Sequence, residues 1–153
     1  MEDLFLTIEQ ARHLQELGVD MSDAKMCKAK LMKLDNGDYV PSNEFHLISM
    51  EYSNLVLDKK RDLVPTYSLQ ELLNKMPKVV RTRMDEFYFH IWNEDNGDNY
   101  TIAYGRWESH TDDVDFNEMK SVTGNLLDSA YKLFCWLYDS GWMEYNKSLK
   151  QGD

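Results

Sequence analysis

The longest regular pattern of apolar and polar residues lies at residues 125–142, NLLDSAYKLFCWLYDSGW. An apolar line recurs there with the 3.6-residue period of a helix. Its members are Leu126, Ala130, Leu133 and Leu137. Asn125 is a residue type that caps helix starts, and Gly141 favours the left-handed conformation that ends them. The pattern predicts a C-terminal core helix from which Trp136 projects on the side opposite the apolar line.

Two shorter segments also carry helix patterns. Residues 4–19 contain the capping-box spacing at Thr7 and Gln10, followed by apolar residues every third position. Residues 68–76 begin with a second capping-box spacing and stop before Pro77, which cannot continue a helix. We therefore predict an N-terminal helix and a short middle helix.

Strand-forming residues and Asn-Gly turns predict five strands. They are residues 25–34, 45–57, 79–82, 86–93 and 99–107. Asn-Gly pairs at 36–37 and 96–97 tolerate the positive φ angles of tight hairpin turns, and so they predict antiparallel pairs. The first segment also fits a short helix, and the strand prediction depends on the hairpin partner that follows it.

Together these elements predict one α+β domain that spans residues 1–153. Its antiparallel sheet of about five short strands is packed by the N-terminal and C-terminal helices, and the short helix lies at an edge. Residues 58–62 are expected to be a charged connection, and the acidic segment 108–118 is expected to be a solvated loop. A frayed tail is expected from about residue 145.

The formal net charge of −10 is unevenly distributed. Between Glu94 and Glu118 there are eight acidic residues and a single arginine, whereas residues 59–83 carry seven basic residues. The acidic balance disfavours nonspecific binding of nucleic acid, because the long-range field repels phosphates. The acidic segment either provides solubility or presents Asp112, Asp113 and Asp115 to a basic partner.

The start of the chain and its cysteines indicate a cytoplasmic protein. MEDLFLTIEQ lacks the basic and apolar regions of a signal peptide, and no apolar run is long enough to span a membrane. Cys27 and Cys135 lie far apart on different predicted elements, so we expect reduced thiols and neither a disulfide framework nor a zinc site.

Catalytic and cofactor motifs are missing from the sequence, which favours a protein that is not an enzyme and needs no cofactor. Residues 93–98 resemble a calcium loop in composition, but the glycine and glutamate positions do not fit, so we predict no metal site. An enzyme of unrecognised type that uses His90 as acid or base remains an alternative. Cys135 is expected to be a small residue at the boundary of the helical stripe.

Aromatic residues make up 12% of the chain, and several lie where a sheet covered on one face does not need them. Tyr88, Trp92 and Trp107 fall on predicted strands, and Trp136 falls on the outer side of the C-terminal helix. One interpretation is an exposed apolar patch that contacts a partner or a second copy of the chain. The other is that helices cover both faces of the sheet and bury all four.

Three segments resemble a family of uncharacterised small proteins from Bacteroides-type gut bacteria and their phages. The segments are LTIEQARHLQELGVDMSDAKM, VPTYSLQELLNKMP and GNLLDSAYKLFCWLYDSGW, which together cover somewhat over a third of the chain. The resemblance implies phage or mobile-element ancestry, and it supplies no activity, cofactor or catalytic residue.

The leading hypothesis is a non-enzymatic binding or accessory protein that acts through a protein interface. It rests on the surplus aromatic residues and on the missing catalytic motifs. The alternatives are an acidic inhibitor or immunity-type protein for a basic partner, and the enzyme that uses His90. Nucleic acid and membrane are not expected partners, whereas homo-oligomerisation stays open.

Overall fold

A computed structural model of the chain describes residues 4–51, 63–109 and 111–145. The chain divides into two compact units, Met1–Ser68 and Leu69–Asp153. Each contains helix and antiparallel sheet, which confirms the predicted α+β class. The prediction that all 153 residues form a single domain stays a prediction.

In the described residues of the first unit, helix α1 accompanies a three-stranded antiparallel sheet of order β2-β1-β3. Its elements are α1 (Ile8–Glu16), β1 (Met26–Lys33), β2 (Tyr39–Ser49) and β3 (Leu63–Thr66). The predicted capping box is present, since Thr7 accepts from the Gln10 backbone and the Gln10 side chain accepts from Thr7. The Asn36-Gly37 turn joins β1 to β2, and Gly37 has the positive φ that such turns require.

In the described residues of the second unit, helices α2 and α3 accompany a four-stranded antiparallel sheet of order β4-β5-β6-β7. Its elements are α2 (Leu69–Lys75), β4 (Val79–Arg81), β5 (Glu86–Asn93), β6 (Tyr100–Ser109), β7 (Val114–Gly124) and α3 (Leu126–Asp139). Helix α3 packs against β6 and β7. It therefore covers one face of this sheet.

Helix α3 forms as the sequence predicts. The Asn125 side chain accepts a hydrogen bond from the Asp128 backbone N–H at 2.9 Å, and Gly141 has a φ of +77° just beyond the C-terminus. Leu133 and Leu137 are fully buried, as the apolar line requires. The start, the buried side and the end of the helix thus follow from its own residues.

The single sheet of about five strands was wrong, because the seven strands of the described ranges form sheets of three and four. The loop predicted at 108–118 was also wrong, since β6 continues to Ser109 and β7 begins at Val114. Both missed strands, β3 and β7, lie at sheet edges, where proline and charged residues are tolerated and obscure the strand pattern.

Several predictions fall outside the described residues. These are the end of the second predicted strand beyond residue 51, the charged connection at 58–62 and the tail after residue 145. Among the helices of the described ranges, none combines the length and the apolar character that crossing a membrane requires.

Replacing Leu133 by alanine is expected to lower the free energy of unfolding by about 2–5 kcal/mol, because it opens a cavity at a fully buried position of α3. Chemical denaturation followed by circular dichroism measures this change. The matched control is Lys132→Ala on the exposed side of the same helix, with an expected change within about 0.5 kcal/mol. Equal changes for both variants would contradict the assignment of the buried side.

Candidate functional site

The two faces of the four-stranded sheet differ in what covers them. On one face Tyr104 of β6 is buried, and its ring centroid lies 6.4 Å from that of Trp136 on α3. The Tyr104 hydroxyl donates to the Pro77 carbonyl at 2.6 Å, and burial raises the pKa of Tyr104. Phe89 lies opposite Tyr104 in the register and shares this face. This is the face that α3 covers.

Alternation along β5 places Tyr88, His90 and Trp92 on the opposite face. Their cross-strand partners on β6 are small residues. These partners are Gly105, Ala103 and Thr101, in the same order. Because small residues leave space above β6, larger side chains from neighbouring strands can cover it.

Phe116 of β7 fills that space and is the centre of an aromatic cluster. Its ring centroid lies 4.9 Å from Trp107, 5.1 Å from His90 and 5.7 Å from Trp92. The His90 and Trp92 rings meet Phe116 nearly at right angles, a favourable edge-to-face geometry. We refer to Tyr88, His90, Trp92, Trp107 and Phe116 as the aromatic face.

The aromatic face is substantially exposed in the chain. The exposed fractions are 65% for Trp107, 46% for Tyr88 and 36% for Trp92. His90 and Phe116 are half-buried beneath them. Large aromatic side chains that combine exposure with mutual packing are typical of contact surfaces.

Gly105 permits this arrangement. A Cβ atom at Gly105 would overlap Cζ of Phe116 and lie 2.9 Å from the backbone oxygen of Asn117. Both approaches are closer than real Cβ contacts, so any other residue forces the Phe116 ring or β7 to move. The position therefore requires glycine for close approach, and Phe116 reaches His90 and Trp92 only because of it.

At each end of β5, a carboxylate accepts a hydrogen bond from the outermost aromatic side chain of the aromatic face. At one end the Trp92 indole N–H donates to Oε1 of Glu94 at 2.7 Å, and the Thr101 hydroxyl donates to the same oxygen. At the other end the Tyr88 hydroxyl donates to Glu86 at 2.8 Å. That hydrogen bond lowers the pKa of Glu86 and raises the pKa of Tyr88, and Arg81, 3.3 Å from the Glu86 carboxylate, lowers the Glu86 pKa further.

The structure brings together three of the four aromatic residues predicted as a contact patch. Tyr88, Trp92 and Trp107 lie on the aromatic face. Trp136 does not: it is half-buried on the other face against Tyr104. The prediction that Trp136 projects away from the packed side of α3 was wrong. The surface of α3 that contacts the sheet includes residues beyond the predicted apolar line. Whether these residues bind a partner is a separate question that stays a prediction.

Phe116 and Gly105 were missed from the sequence. Phe116 lay inside the segment predicted as a loop, because the surrounding carboxylates outnumber the apolar residues there. The available pattern was the alternation of Val114 and Phe116, which is that of a strand with one apolar face. Gly105 interrupts β6 without a turn, which is typical of close backbone approach.

The predicted acidic contact residues lie in the hairpin that joins β6 to β7. Asp112 and Asp113 are in its turn, and Asp115 lies on β7 opposite Glu108. All three aspartates are exposed. Nearby, Arg106 forms ion pairs with Glu108 at 2.6 Å and with Asp85 at 2.5 Å. Because side chains alternate along β7, Asp115 points to the sheet face opposite Phe116, whereas Asp112 and Asp113 lie at the turn of the same hairpin.

His90, the candidate acid or base, and the two cysteines have different surroundings. His90 contacts the Phe116 ring and forms part of the aromatic cluster. The Cys27 and Cys135 side chains are both buried, and burial raises the pKa of both thiols to about 11. Neither thiol therefore carries, at neutral pH, the thiolate that nucleophilic catalysis needs.

Residues of the acidic turn after β5 form hydrogen bonds with one another. The Asn93 side chain donates to the Gly97 carbonyl at 2.8 Å, and the Gly97 N–H donates to Asp95 at 3.0 Å. Within the ranges that the structure describes, no group of three or more histidine, cysteine, aspartate or glutamate side chains is arranged to hold a metal ion.

Comparisons of the chain with family models, with curated proteins and with solved structures found no match. The ancestry in gut bacteria or their phages therefore stays a prediction from the sequence.

Replacing Gly105 by alanine is expected to lower the free energy of unfolding by about 1–3 kcal/mol, because the added methyl group overpacks against Phe116 and β7. Denaturant unfolding measures the change. A double-mutant cycle with Phe116→Ala is the control: the double variant should be more stable than the sum of the single changes predicts, since the truncated side chain removes the shortest contact. Strict additivity would contradict the proposed Gly105–Phe116 contact.

Proposed function

We propose that this chain is a non-enzymatic binding or accessory protein that contacts a protein partner through the aromatic face. The observation that carries the proposal is the exposure of Tyr88, Trp92 and Trp107 around Phe116, on the sheet face opposite α3. These rings are held by β5, β6 and β7 and not by mobile loops, so little conformational entropy is lost when a partner covers them.

The packing of the cluster supports an interface more than a purely structural role. Covering the small residues of β6 requires Phe116 and the inner rings, and those are half-buried. Trp107 lies outside them and has 65% of its surface exposed. A tryptophan that adds little to burial within its own chain offers a large apolar surface to another molecule.

Charge favours a partner that differs from the chain itself. Two copies that each carry −10 repel, and the repulsion is strongest where exposed carboxylates border the contact. The same charge disfavours nucleic acid, because phosphates are repelled. We propose a heterologous protein partner, a cytoplasmic location, and a role in a bacterium or phage of the kind that the sequence resembles.

Replacing Trp107 by alanine is expected to weaken partner binding at least tenfold while the chain stays folded, because this ring is mostly exposed. The wild-type chain captures partners from a lysate of a Bacteroides-type gut bacterium, and calorimetry then measures binding to each purified partner. Met84→Ala is the matched control, since Met84 is an exposed apolar residue in the turn between β4 and β5 and is not part of the aromatic face.

Three results would contradict the proposal. The first is a strictly monomeric chain that recovers no partner from the lysate. The second is a partner whose affinity is the same for the wild type and for the Trp107 variant. Loss of binding by the Met84 variant as well would also contradict it, because the effect would then not belong to the aromatic face.

A second candidate function is that of an acidic inhibitor or immunity-type protein for a basic toxin or nucleic-acid-binding enzyme. The observation that favours it is the exposed hairpin carrying Asp112, Asp113 and Asp115. A protruding row of carboxylates steers basic partners toward the chain and speeds their encounter.

Reversing the charge of Asp112, Asp113 and Asp115 to lysine is expected to slow association with a basic partner about tenfold or more and to remove most of its dependence on salt, because steering is lost. Stopped-flow association measured over a range of ionic strength tests this. Reversal of the exposed Glu9, Glu16 and Glu44 is the control with the same change in net charge. An association rate that is unchanged in the hairpin variant, or reduced equally in both variants, would count against this function.

A further inference from the structure

A tryptophan and a carboxylate are held side by side at one end of the aromatic face. The Trp92 indole and the Thr101 hydroxyl both donate to Oε1 of Glu94, and Thr101 is itself held by Thr123 at 2.8 Å. Thr101 is buried, so the Glu94 carboxylate is anchored to the sheet although it lies at the surface. The pair is therefore positioned before any ligand arrives.

The second oxygen of this carboxylate is available. Both hydrogen bonds go to Oε1, and within the part of the chain that the structure describes no donor is recorded for Oε2 of Glu94. The other end of β5 differs, because Arg81 already neutralises Glu86 there. Among the described residues, no cation is therefore paired with the carboxylate at the Trp92 end of the face.

The rest of the face adds to that charge. Cross-strand register places Glu118 of β7 on this face opposite Gly105, and it is exposed. A ligand that covers the rings meets carboxylates at 94 and 118, and its charge complement is positive. The group of the ligand that contacts Trp92 must be flat enough to lie against the indole ring.

We infer that the Trp92–Glu94 pair receives an arginine side chain from a basic segment of the protein partner. This inference rests on the proposed function and names the chemistry of that partner. The guanidinium is planar, so it stacks on the exposed part of the Trp92 indole while one N–H donates to Oε2 of Glu94. The favourable interaction with Trp92 and the ion pair with Glu94 then act on the same cation.

The other occupants fit less well. A lysine ammonium pairs with Glu94 but does not stack, because it is a strongly hydrated point charge. Single-stranded nucleic acid stacks on aromatic rings but brings phosphates toward Glu94 and Glu118. A second copy of the chain brings the same carboxylates.

The experiment titrates the full-length chain with an amidated Arg-Gly repeat peptide and follows the tryptophan indole N–H resonances by NMR. The chain has four tryptophans, which supply an internal control. The Trp92 resonance, assigned with Trp92→Phe, is expected to shift, whereas those of Trp136 and Trp142 stay in place. Matched peptides carry citrulline, which is uncharged, or lysine in place of arginine.

The affinity for the arginine peptide is expected to exceed that for the citrulline peptide about tenfold, since the charge is lost but the shape is kept. It is expected to exceed the affinity for the lysine peptide several-fold. Glu94→Gln should weaken the arginine peptide about fivefold or more, whereas Glu44→Gln, which changes net charge equally in the first unit, should not. Glu94 is exposed, so this variant tests the site even if Trp92→Phe fails to fold.

Several outcomes would overturn the inference. They are equal affinity for arginine and citrulline, equal affinity for arginine and lysine, an unchanged affinity in Glu94→Gln, and binding of an oligothymidylate that the Trp92→Phe variant weakens. The last outcome would assign the face to bases.

Failure of this inference is distinguishable from failure of the proposed function. If Trp107→Ala abolishes partner binding but Glu94→Gln leaves it unchanged, the aromatic face is the interface and the arginine assignment alone is wrong. If Trp107→Ala has no effect on the partner, the proposed function is wrong whatever the peptides do.

Discussion

The close approach of Phe116 to Gly105 is the contact on which the second unit's exposed surface depends. With no Cβ at Gly105, the Phe116 ring lies directly over β6 and reaches the His90 and Trp92 rings from the far side of the strand. A larger residue would separate β7 from β6 or push Phe116 outward, and either change would remove the centre of the cluster. The orientation of Trp92, and through it of Glu94, therefore depends on a backbone position that itself carries no functional group.

Successive residues of β6 face two different environments, one on each side of the sheet. Tyr104 faces α3, where its hydroxyl is satisfied by the Pro77 carbonyl and its ring packs near Trp136. Gly105, the next residue, faces the aromatic cluster. Because the side-chain period of a strand is two, a one-residue shift in register would exchange the two faces and bury the exposed rings. The register irregularity between Tyr104 and Gly105 on the β6–β7 ladder lies at this point of change.

The sequence predicted correctly those features that are formed by residues close together in the chain. The Thr7 capping box, the Asn36-Gly37 turn and the Asn125 cap each depend on residues within four positions of one another, and each is present. Strand β7 was missed because it forms by pairing with another segment, β6, and not through a pattern of its own. An edge strand pairs on one side and carries charge on the other, so its composition resembles that of a loop. The side on which Trp136 lies was missed for a related reason, since a helical period gives an angle but not the width of the sheet that α3 covers.

In the aromatic face, too, some features follow from nearby residues and others from pairing between distant segments. Alternation along β5 was enough to place Tyr88 and Trp92 on one face with His90, but their neighbours across the sheet depend on pairing that no single segment contains. That pairing has a consequence for function, because the hairpin of β6 and β7 carries Trp107 and Phe116 on one face and the aspartates near its turn. Charge acts over several ångströms and governs how often a partner arrives, whereas ring contacts act at van der Waals distance and govern how long it stays. On the proposed function, the carboxylates at the turn of this hairpin would draw a basic partner toward the chain, and the rings of the aromatic face would retain it.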